Sequence, residues 1–312
     1  MAQKIISRDD LPHFVNKLIR KYEVIAPVKE VNTKFKQVNS FDEIYLDGIT
    51  EVPAKEFFIP ESETILEFKK GRAKEVSRHI KKRVIFGLRM CDLNAIKILD
   101  SVMFDKNYLE RRKKTFLVGI FCENPDKYCF CNSMELENYF DLFIFPDGDN
   151  YRIAIGSNKG KRLVRGIKTS DKDIEIPKPK NKKVLKNKNI EKKYRNKAFE
   201  EDARKCLSCS ACTAYCPTCN CFDFKDVSDF EGNSKRIRRL SSCMLKNFSE
   251  VAGGKSYRDS RLSRFKHFIF HKLVYFKKQK GRYMCVGCGR CLRVCPTKID
   301  WVNTLNKMGE RK

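Results

Sequence analysis

Between Asp9 and Tyr22 the apolar residues fall on a single helical stripe. Leu11, Phe14, Val15, Leu18, Ile19 and Tyr22 recur at i, i+3, i+4, i+7, i+8 and i+11, the spacing of a helix that buries one face. Ser7 or Asp9 supplies a cap, and Pro12 is tolerated in the first turn. This stripe predicts core packing rather than a binding face. Two shorter runs differ in character. Val84–Leu88 and Thr115–Phe121 are continuous and apolar with β-branched residues, and predict strands. Between them Ile96, Ile98, Leu99 and Val102 predict a helix over Leu93–Phe104. Strand, helix and strand in that order predict a β–α–β unit, parallel with a right-handed crossover. Asp141–Ile155 reads as a hairpin, turned by Asp147, Gly148, Asp149 and Asn150.

The chain has 312 residues, room for about two domains. Residues 1–157 carry the mixed pattern just described. Residues 158–197 form a basic connector containing Pro177 and Pro179, and residues 198–312 have a different composition dominated by cysteine.

One cysteine spacing occurs twice in that last segment. The first copy is Cys206-x2-Cys209-x2-Cys212-x3-Cys216-Pro217, and the second is Cys285-x2-Cys288-x2-Cys291-x3-Cys295-Pro296. This is the ligand run of bacterial ferredoxins with two cubane clusters, in which each run's fourth cysteine ligates the other run's cluster. Cys206, Cys209 and Cys212 are thus expected to share a [4Fe-4S] cluster with Cys295. Cys285, Cys288 and Cys291 are expected to share a second with Cys216. Small residues between the ligands (Ser208, Ser210, Ala211, Gly287, Gly289) let backbone N–H groups approach the cluster sulfurs. Paired zinc knuckles are the alternative, but zinc sites pair two CxxC units and do not need this third cysteine, fourth cysteine and proline. The expected class is α+β: an N-terminal α/β domain with a β–α–β unit, then a mainly helical two-cluster ferredoxin-type domain. Residues 217–284 make a long insert between the runs, rich in arginine (Arg236, Arg238, Arg239, Arg258, Arg261, Arg264). Screening of cluster charge and plain surface charge are both open for these six.

Seven of the fifteen cysteines lie outside the repeat. Cys91 follows the Val84–Leu88 strand, and Cys122 ends the Thr115–Phe121 run. In a parallel unit both sit at the carboxyl edge of the sheet, where open α/β sheets place ligands. Cys129 and Cys131 lie in the loop just after. These four are expected to hold a third [4Fe-4S] cluster; unligated buried thiols and a zinc site are the competing readings. Cys219, Cys221 and Cys243 are one thiol short of a cubane, and their role is left open.

The formal charge is +27, for which nucleic acid is the reflex partner. Two considerations weaken that reading. Each four-thiolate cubane is itself an anion, formally about −2 when oxidised. Much of the excess also falls in the lysine-rich Lys178–Lys197 stretch, which reads as a solvated face or mobile loop more readily than as a binding groove. Docking to an acidic partner subunit is a further use for the charge. No apolar run approaches the ~18–20 residues of a membrane span, and Met1–Asp10 lacks a signal peptide's apolar core, so a cytoplasmic protein is expected. Reduced, metal-bound thiols fit that compartment. A G-x-G-x-x-G fingerprint, a P-loop and H-E-x-x-H are all missing, and His13, His79, His267 and His271 are scattered. No catalytic residue is therefore expected.

Five stretches together resemble a known family. They are Val-Pro-Ala-Lys-Glu-Phe-Phe at 52–58, Phe-Gly-Leu-Arg-Met-Cys-Asp-Leu at 86–93, Cys-Phe-Cys-Asn-Ser-Met at 129–134, Cys-Pro-Thr-Cys-Asn-Cys-Phe-Asp at 216–223 and Cys-Val-Gly-Cys-Gly-Arg-Cys at 285–291. With these markers in order, nearly the whole chain resembles the iron–sulfur β subunit of cytosolic NiFe hydrogenases (sulfhydrogenases). It is equally similar to the A subunit of anaerobic sulfite reductase. The resemblance implies an electron-transfer subunit without its own catalysis. Its implied partners are a flavin subunit that exchanges electrons with NAD(P)H and a NiFe hydrogenase or sirohaem sulfite reductase subunit. A nucleic-acid-binding iron–sulfur protein and a free-standing ferredoxin-like carrier are the alternatives.

Overall fold

A computed structural model describes residues 2–310 except Arg78, His79 and Asp171; the side chains of Gly309 and Glu310 are also outside the description. The first half supplies β1 (Gln3–Ser7), α1 (Asp10–Ile19), β2 (Glu23–Lys29), β3 (Thr33–Gln37), β4 (Ser62–Lys69) and β5 (Arg72–Glu75). Next come β6 (Arg83–Leu88), α2 (Met90–Asp100), α3 (Lys106–Lys114), β7 (Thr115–Ile120), β8 (Leu142–Asp147), β9 (Asn150–Ile155) and α4 (Asn158–Leu163). The cysteine-rich half has α5 (Ala198–Lys205), α6 (Ala211–Ala214), β10 (Phe222–Ser228), β11 (Ser234–Leu240) and α7 (Arg261–Phe270). It ends with α8 (Phe276–Lys280), α9 (Arg290–Arg293) and α10 (Trp301–Glu310). The chain is thus mixed α/β in its first part and mostly helical in its last.

A seven-stranded sheet runs in the order β1-β9-β8-β7-β6-β2-β3. Its centre is parallel: β2 pairs with β6, β6 with β7 and β7 with β8, while the β8–β9 hairpin is antiparallel. Alternation sends Val24, Ala26, Val84, Phe86 and Val118 to one face, where Leu11, Phe14, Val15 and Leu18 of α1 cover them. Ile25, Ile85 and Leu117 point the other way, against Leu93, Ile96 and Leu99 of α2. The helix expected at Leu93–Phe104 begins earlier, at Met90, and a second helix follows before β7. A Tyr108–Asp100 hydrogen bond of 2.5 Å joins the two helices.

The second sheet, β10-β11-β4-β5, is built from both halves of the chain. The hairpin in the arginine-rich insert lays β11 antiparallel to β4. At that seam Glu63 accepts from Arg111 of α3 and Arg238 of β11, with all three side chains buried. Arg238 also reaches Asp105 at 2.8 Å. This arginine is therefore an internal tie between the halves and not surface charge. The alternation in Phe222-Asp-Phe224-Lys-Asp-Val227 and the Glu231-Gly232-Asn233 turn are the sequence signals for this hairpin.

The basic connector is pinned along much of its length. Leu185 and Ile190 are buried. Lys183 pairs with Asp300 at 2.5 Å, Asn187 donates to the Leu305 carbonyl and Lys188 donates to the Ser133 carbonyl. Its lysines serve as fasteners between the Cys131 loop and α10. No helix among the described residues is long and apolar enough to cross a membrane.

Candidate iron–sulfur centres

The two cysteine runs adopt the same local backbone. Ser208 and Ser210 in the first copy, and Gly287 and Gly289 in the second, all have left-handed φ between 53° and 72°. That winding turns backbone donors inward: Ser208 N lies 3.4 Å from Cys206 Sγ, and Gly287 N lies 3.4 Å from Cys285 Sγ. A short helix then follows in each copy, and these helices, α6 and α9, pack together. The Cys-Pro-Thr ends also repeat: Thr218 Oγ1 is 3.2 Å from Cys216 Sγ, and Thr297 Oγ1 is 3.5 Å from Cys295 Sγ.

Cys206, Cys209, Cys212 and Cys295, the four thiols expected around one cubane, line a common cavity together with Cys291, Trp301 and Ser210. The Ser210 hydroxyl is buried without a partner, a donor available to a cluster sulfide. Ile299 N donates to Cys295 Sγ at 3.4 Å and Trp301 Nε1 to Cys291 Sγ at 3.5 Å. Cys216 acts electrostatically on Cys285, Cys288 and Cys291, the partners expected of it. It also acts on Cys212 of its own run. Burial pushes the Cys212 and Cys285 thiols up to about 12, so a bound metal is what would hold them as thiolates. These donors and buried sulfurs fit iron–sulfur cubanes. Among the described residues no three Cys, His, Asp or Glu side chains converge on a single ion position. A cubane presents each thiolate to a different iron, so its ligands have no need to meet at one point.

The other four thiols share a second cavity. Parallel pairing of β6 and β7 brings Cys91 and Cys122 out at one sheet edge. Cys91, Cys122, Cys129 and Cys131 line a volume of about 540 Å³ there, joined by Cys288 of the second run. Burial raises all four, Cys131 to about 11. Asn181 of the connector binds this rim, 3.3 Å from Cys131 Sγ and 2.8 Å from Asn132 N.

The second run is seated directly on this cavity. Phe130 N donates to the Gly287 carbonyl at 2.8 Å, and Cys129 Sγ donates to the Cys288 carbonyl at 3.5 Å. A Cβ on Gly287 would lie 2.7 Å from Cys131 Cα, and one on Gly289 2.5 Å from the Tyr128 carbonyl oxygen. Arg290, fully buried, completes the joint with a 2.7 Å ion pair to Asp92 and a 2.8 Å bond to the Thr50 carbonyl. Gly287→Ala should therefore loosen this seat: left-handed backbone costs a Cβ-bearing residue about 1–2 kcal/mol before any clash. Ser208→Ala, at the equivalent position of the first run, adds no Cβ and removes only a hydroxyl that accepts from Arg264 at 3.4 Å, so it should cost less. Thermal unfolding of the two variants compares them, and an equal loss would remove the argument.

Cys219, Cys221 and Cys243 gather behind Cys216 rather than at either cavity. Cys243, beside it, holds the Cys221 thiol below the ordinary thiol range. Two buried lysines lie here as well: Lys272, 3.2 Å from Cys216 Sγ, and Lys55, which donates to the Cys219 carbonyl at 3.1 Å. Sequence reading missed both; Lys272 stands in an apolar helix face, and that was the available signal. Of the insert arginines, Arg261 and Arg264 reach the first run through the Cys206 carbonyl and the Ser208 hydroxyl. His267 and His271 stack on one helix face, and burial lowers both to about 4; His79 lies outside the described residues.

Residues 205–299 match the 4Fe-4S dicluster domain. The chain is 36% identical over 324 residues to the sulfhydrogenase 2 subunit beta of Pyrococcus furiosus, an alignment covering 96% of each chain. No solved structure matches the chain.

Proposed function

From the premise that this chain belongs to the sulfhydrogenase β-subunit family, as an iron–sulfur electron-transfer protein, we propose that it relays electrons through three cubanes. Cys206, Cys209, Cys212 and Cys295 hold one. Cys285, Cys288, Cys291 and Cys216 hold the next. Cys91, Cys122, Cys129 and Cys131 hold the third. The observation that carries the reading is the seat of Gly287 and Gly289 on the Tyr128–Cys131 backbone. It puts the third thiol group against the second run, which packs in turn on the first through α9 and α6. The first run opens at the surface, where Cys209 is exposed and Leu207 is 61% exposed. Electrons thus have an entry at one end and an exit at the other. The partners are a flavin subunit using NAD(P)H and a NiFe hydrogenase or sirohaem sulfite reductase subunit, in a cytoplasmic complex. The cofactors carry the redox chemistry, and this chain sets spacing, potential and docking.

Anaerobically purified full-length protein should contain about twelve irons, four per cubane. Cys91→Ser, nearly isosteric, should bring this to about eight and remove one paramagnetic signal on reduction. Unchanged iron and spectra in Cys91→Ser would eliminate the third cluster and leave a two-cubane relay.

A further inference from the structure

The two ferredoxin runs repeat one another closely, and they part at their fourth cysteines. Among the described residues the hydrogen-bond partners of Cys295 Sγ are neutral, Thr297 Oγ1 at 3.5 Å and Ile299 N at 3.4 Å. Cys216 Sγ has the matching threonine and, in addition, the ammonium of Lys272 at 3.2 Å. The same Nζ lies 3.3 Å from Cys219 Sγ. Lys272 is 3% exposed and sits on a π-helical turn, His271–Tyr275, between α7 and α8. Such turns are frequent at functional sites because they re-aim a side chain that a regular helix would send elsewhere.

A second ammonium stands behind the first. Lys55, carried by the Val-Pro-Ala-Lys stretch of the first half, is buried and donates to the carbonyls of Ala214 at 3.2 Å and Cys219 at 3.1 Å. Among the described residues the partners of both lysines are carbonyls, a threonine hydroxyl and cysteine sulfurs, with no carboxylate. A buried, unpaired ammonium costs several kcal/mol. Lysine shifts its pKa readily when buried, so a lysine kept charged here needs a permanent anion close by. A cubane with four thiolates, formally about −2, is that anion; burial lowers the Lys55 pKa, so Lys272, hydrogen-bonded to Cys216 Sγ, is the principal charge of the two.

We propose that Lys272, backed by Lys55, is a positioning charge that raises the reduction potential of the cubane held by Cys285, Cys288, Cys291 and Cys216. The inference rests on the ligand assignment proposed above. Reduction adds one electron and one negative charge to that cubane. A fixed ammonium against one of its thiolates stabilises the reduced form more than the oxidised form. The first run is approached by cations as well, Arg261 at the Cys206 carbonyl and Arg264 at the Ser208 hydroxyl, but among the described residues no ammonium lies against Cys295 Sγ. The pseudo-symmetric pair is thereby made unequal, and the middle station of the relay becomes the one that holds an electron more readily.

The test is a potentiometric titration of the full-length protein followed by paramagnetic resonance, with the second cubane identified as the signal lost in Cys216→Ser. Lys272→Met should lower the equilibrium constant for its one-electron reduction at least tenfold, a shift of about 59 mV to more negative potential. The first run's signal should move clearly less, since Lys272 also acts electrostatically on Cys212 but is hydrogen-bonded to Cys216, and Lys272→Arg, which keeps the charge, should recover most of the shift. An unmoved second signal in Lys272→Met, or equal shifts in both signals, would overturn the proposal. Should Lys272→Met fail to retain its clusters, Lys55→Met carries the test. It should move the same signal in the same direction by less, and no movement there would overturn the proposal equally. If wild-type protein gives no second cubane signal, the ligand assignment itself has failed and the lysine proposal falls with it.

Discussion

Cys216→Ser should abolish the cubane of the run that begins at Cys285 and spare the one that begins at Cys206. Sequence distance argues the reverse, since Cys216 directly follows Cys212 in the first run. The tertiary arrangement supports the crossed outcome. The cavity lined by Cys206, Cys209, Cys212 and Cys295 does not include Cys216. Cys216 acts on Cys285, Cys288 and Cys291 across the α6–α9 contact, as well as on Cys212 of its own run. Cys295→Ser should do the converse. Each variant should lose about four irons per chain, the content of one cubane. Paramagnetic resonance of the reduced variants tells the two losses apart. If each substitution removes its own run's cluster, the crossed ferredoxin arrangement is wrong, although the iron count would look the same.

Glu63→Gln should cost roughly 3–5 kcal/mol of stability, the usual penalty for removing one member of a buried ion pair. The loss is large because Glu63 serves two arginines at once. Arg111 and Arg238 are each about 7% exposed, and the substitution strands the Arg111 charge and leaves Arg238 with Asp105 alone at the seam where β11 of the second half meets β4 of the first. Denaturant unfolding at pH 7 measures the effect. Burial works against the Glu63 carboxylate, but the two guanidinium groups outweigh it and hold its pKa below the ordinary glutamate value of 4.5. A group with a lowered folded pKa contributes stability that is present above its unfolded value and lost as pH falls through the folded one. Wild-type protein should therefore keep this contribution down to about pH 4.5 and lose it in more acid solution. Glu63→Gln should lack that part of the acid transition. A variant as stable as wild type at pH 7 would mean that the seam is wet or loosely closed.

Several features were legible before any fold was known because they are local. The stripe from Leu11 to Leu18 specifies a helix by its own spacing, and α1 occupies Asp10–Ile19 with those residues buried. The apolar runs at Val84 and Thr115 became the adjacent parallel strands β6 and β7, and Asp147–Asn150 turned a hairpin. The cysteine repeat is local in the same sense. Three thiols at three-residue spacing prescribe one loop geometry, and both copies adopt it, down to the left-handed residues that the sequence marks as Ser or Gly. The family could be read from ordered markers for the same reason: each is a short stretch that carries its own chemistry.

What the sequence alone left undetermined depends on which distant backbone comes to lie alongside. A strand's alternation says which face is buried but not which edge it joins. The hairpin of β10 and β11 was accordingly invisible as a partner of β4, and Arg238 looked like surface charge until Glu63 lay opposite it. The lysines of the connector read as solvated, since lysine normally is; only the positions of Asp300, Met308 and Ser133 made them fasteners. Gly287 and Gly289 were small for a reason the spacing could not disclose, because the backbone they admit belongs to Tyr128–Cys131. Lys272 and Lys55 are the clearest case. A lysine's charge is written in the sequence, but its cost and use are set by what surrounds it, and burial against Cys216 and Cys219 exists only once both halves of the chain have folded together.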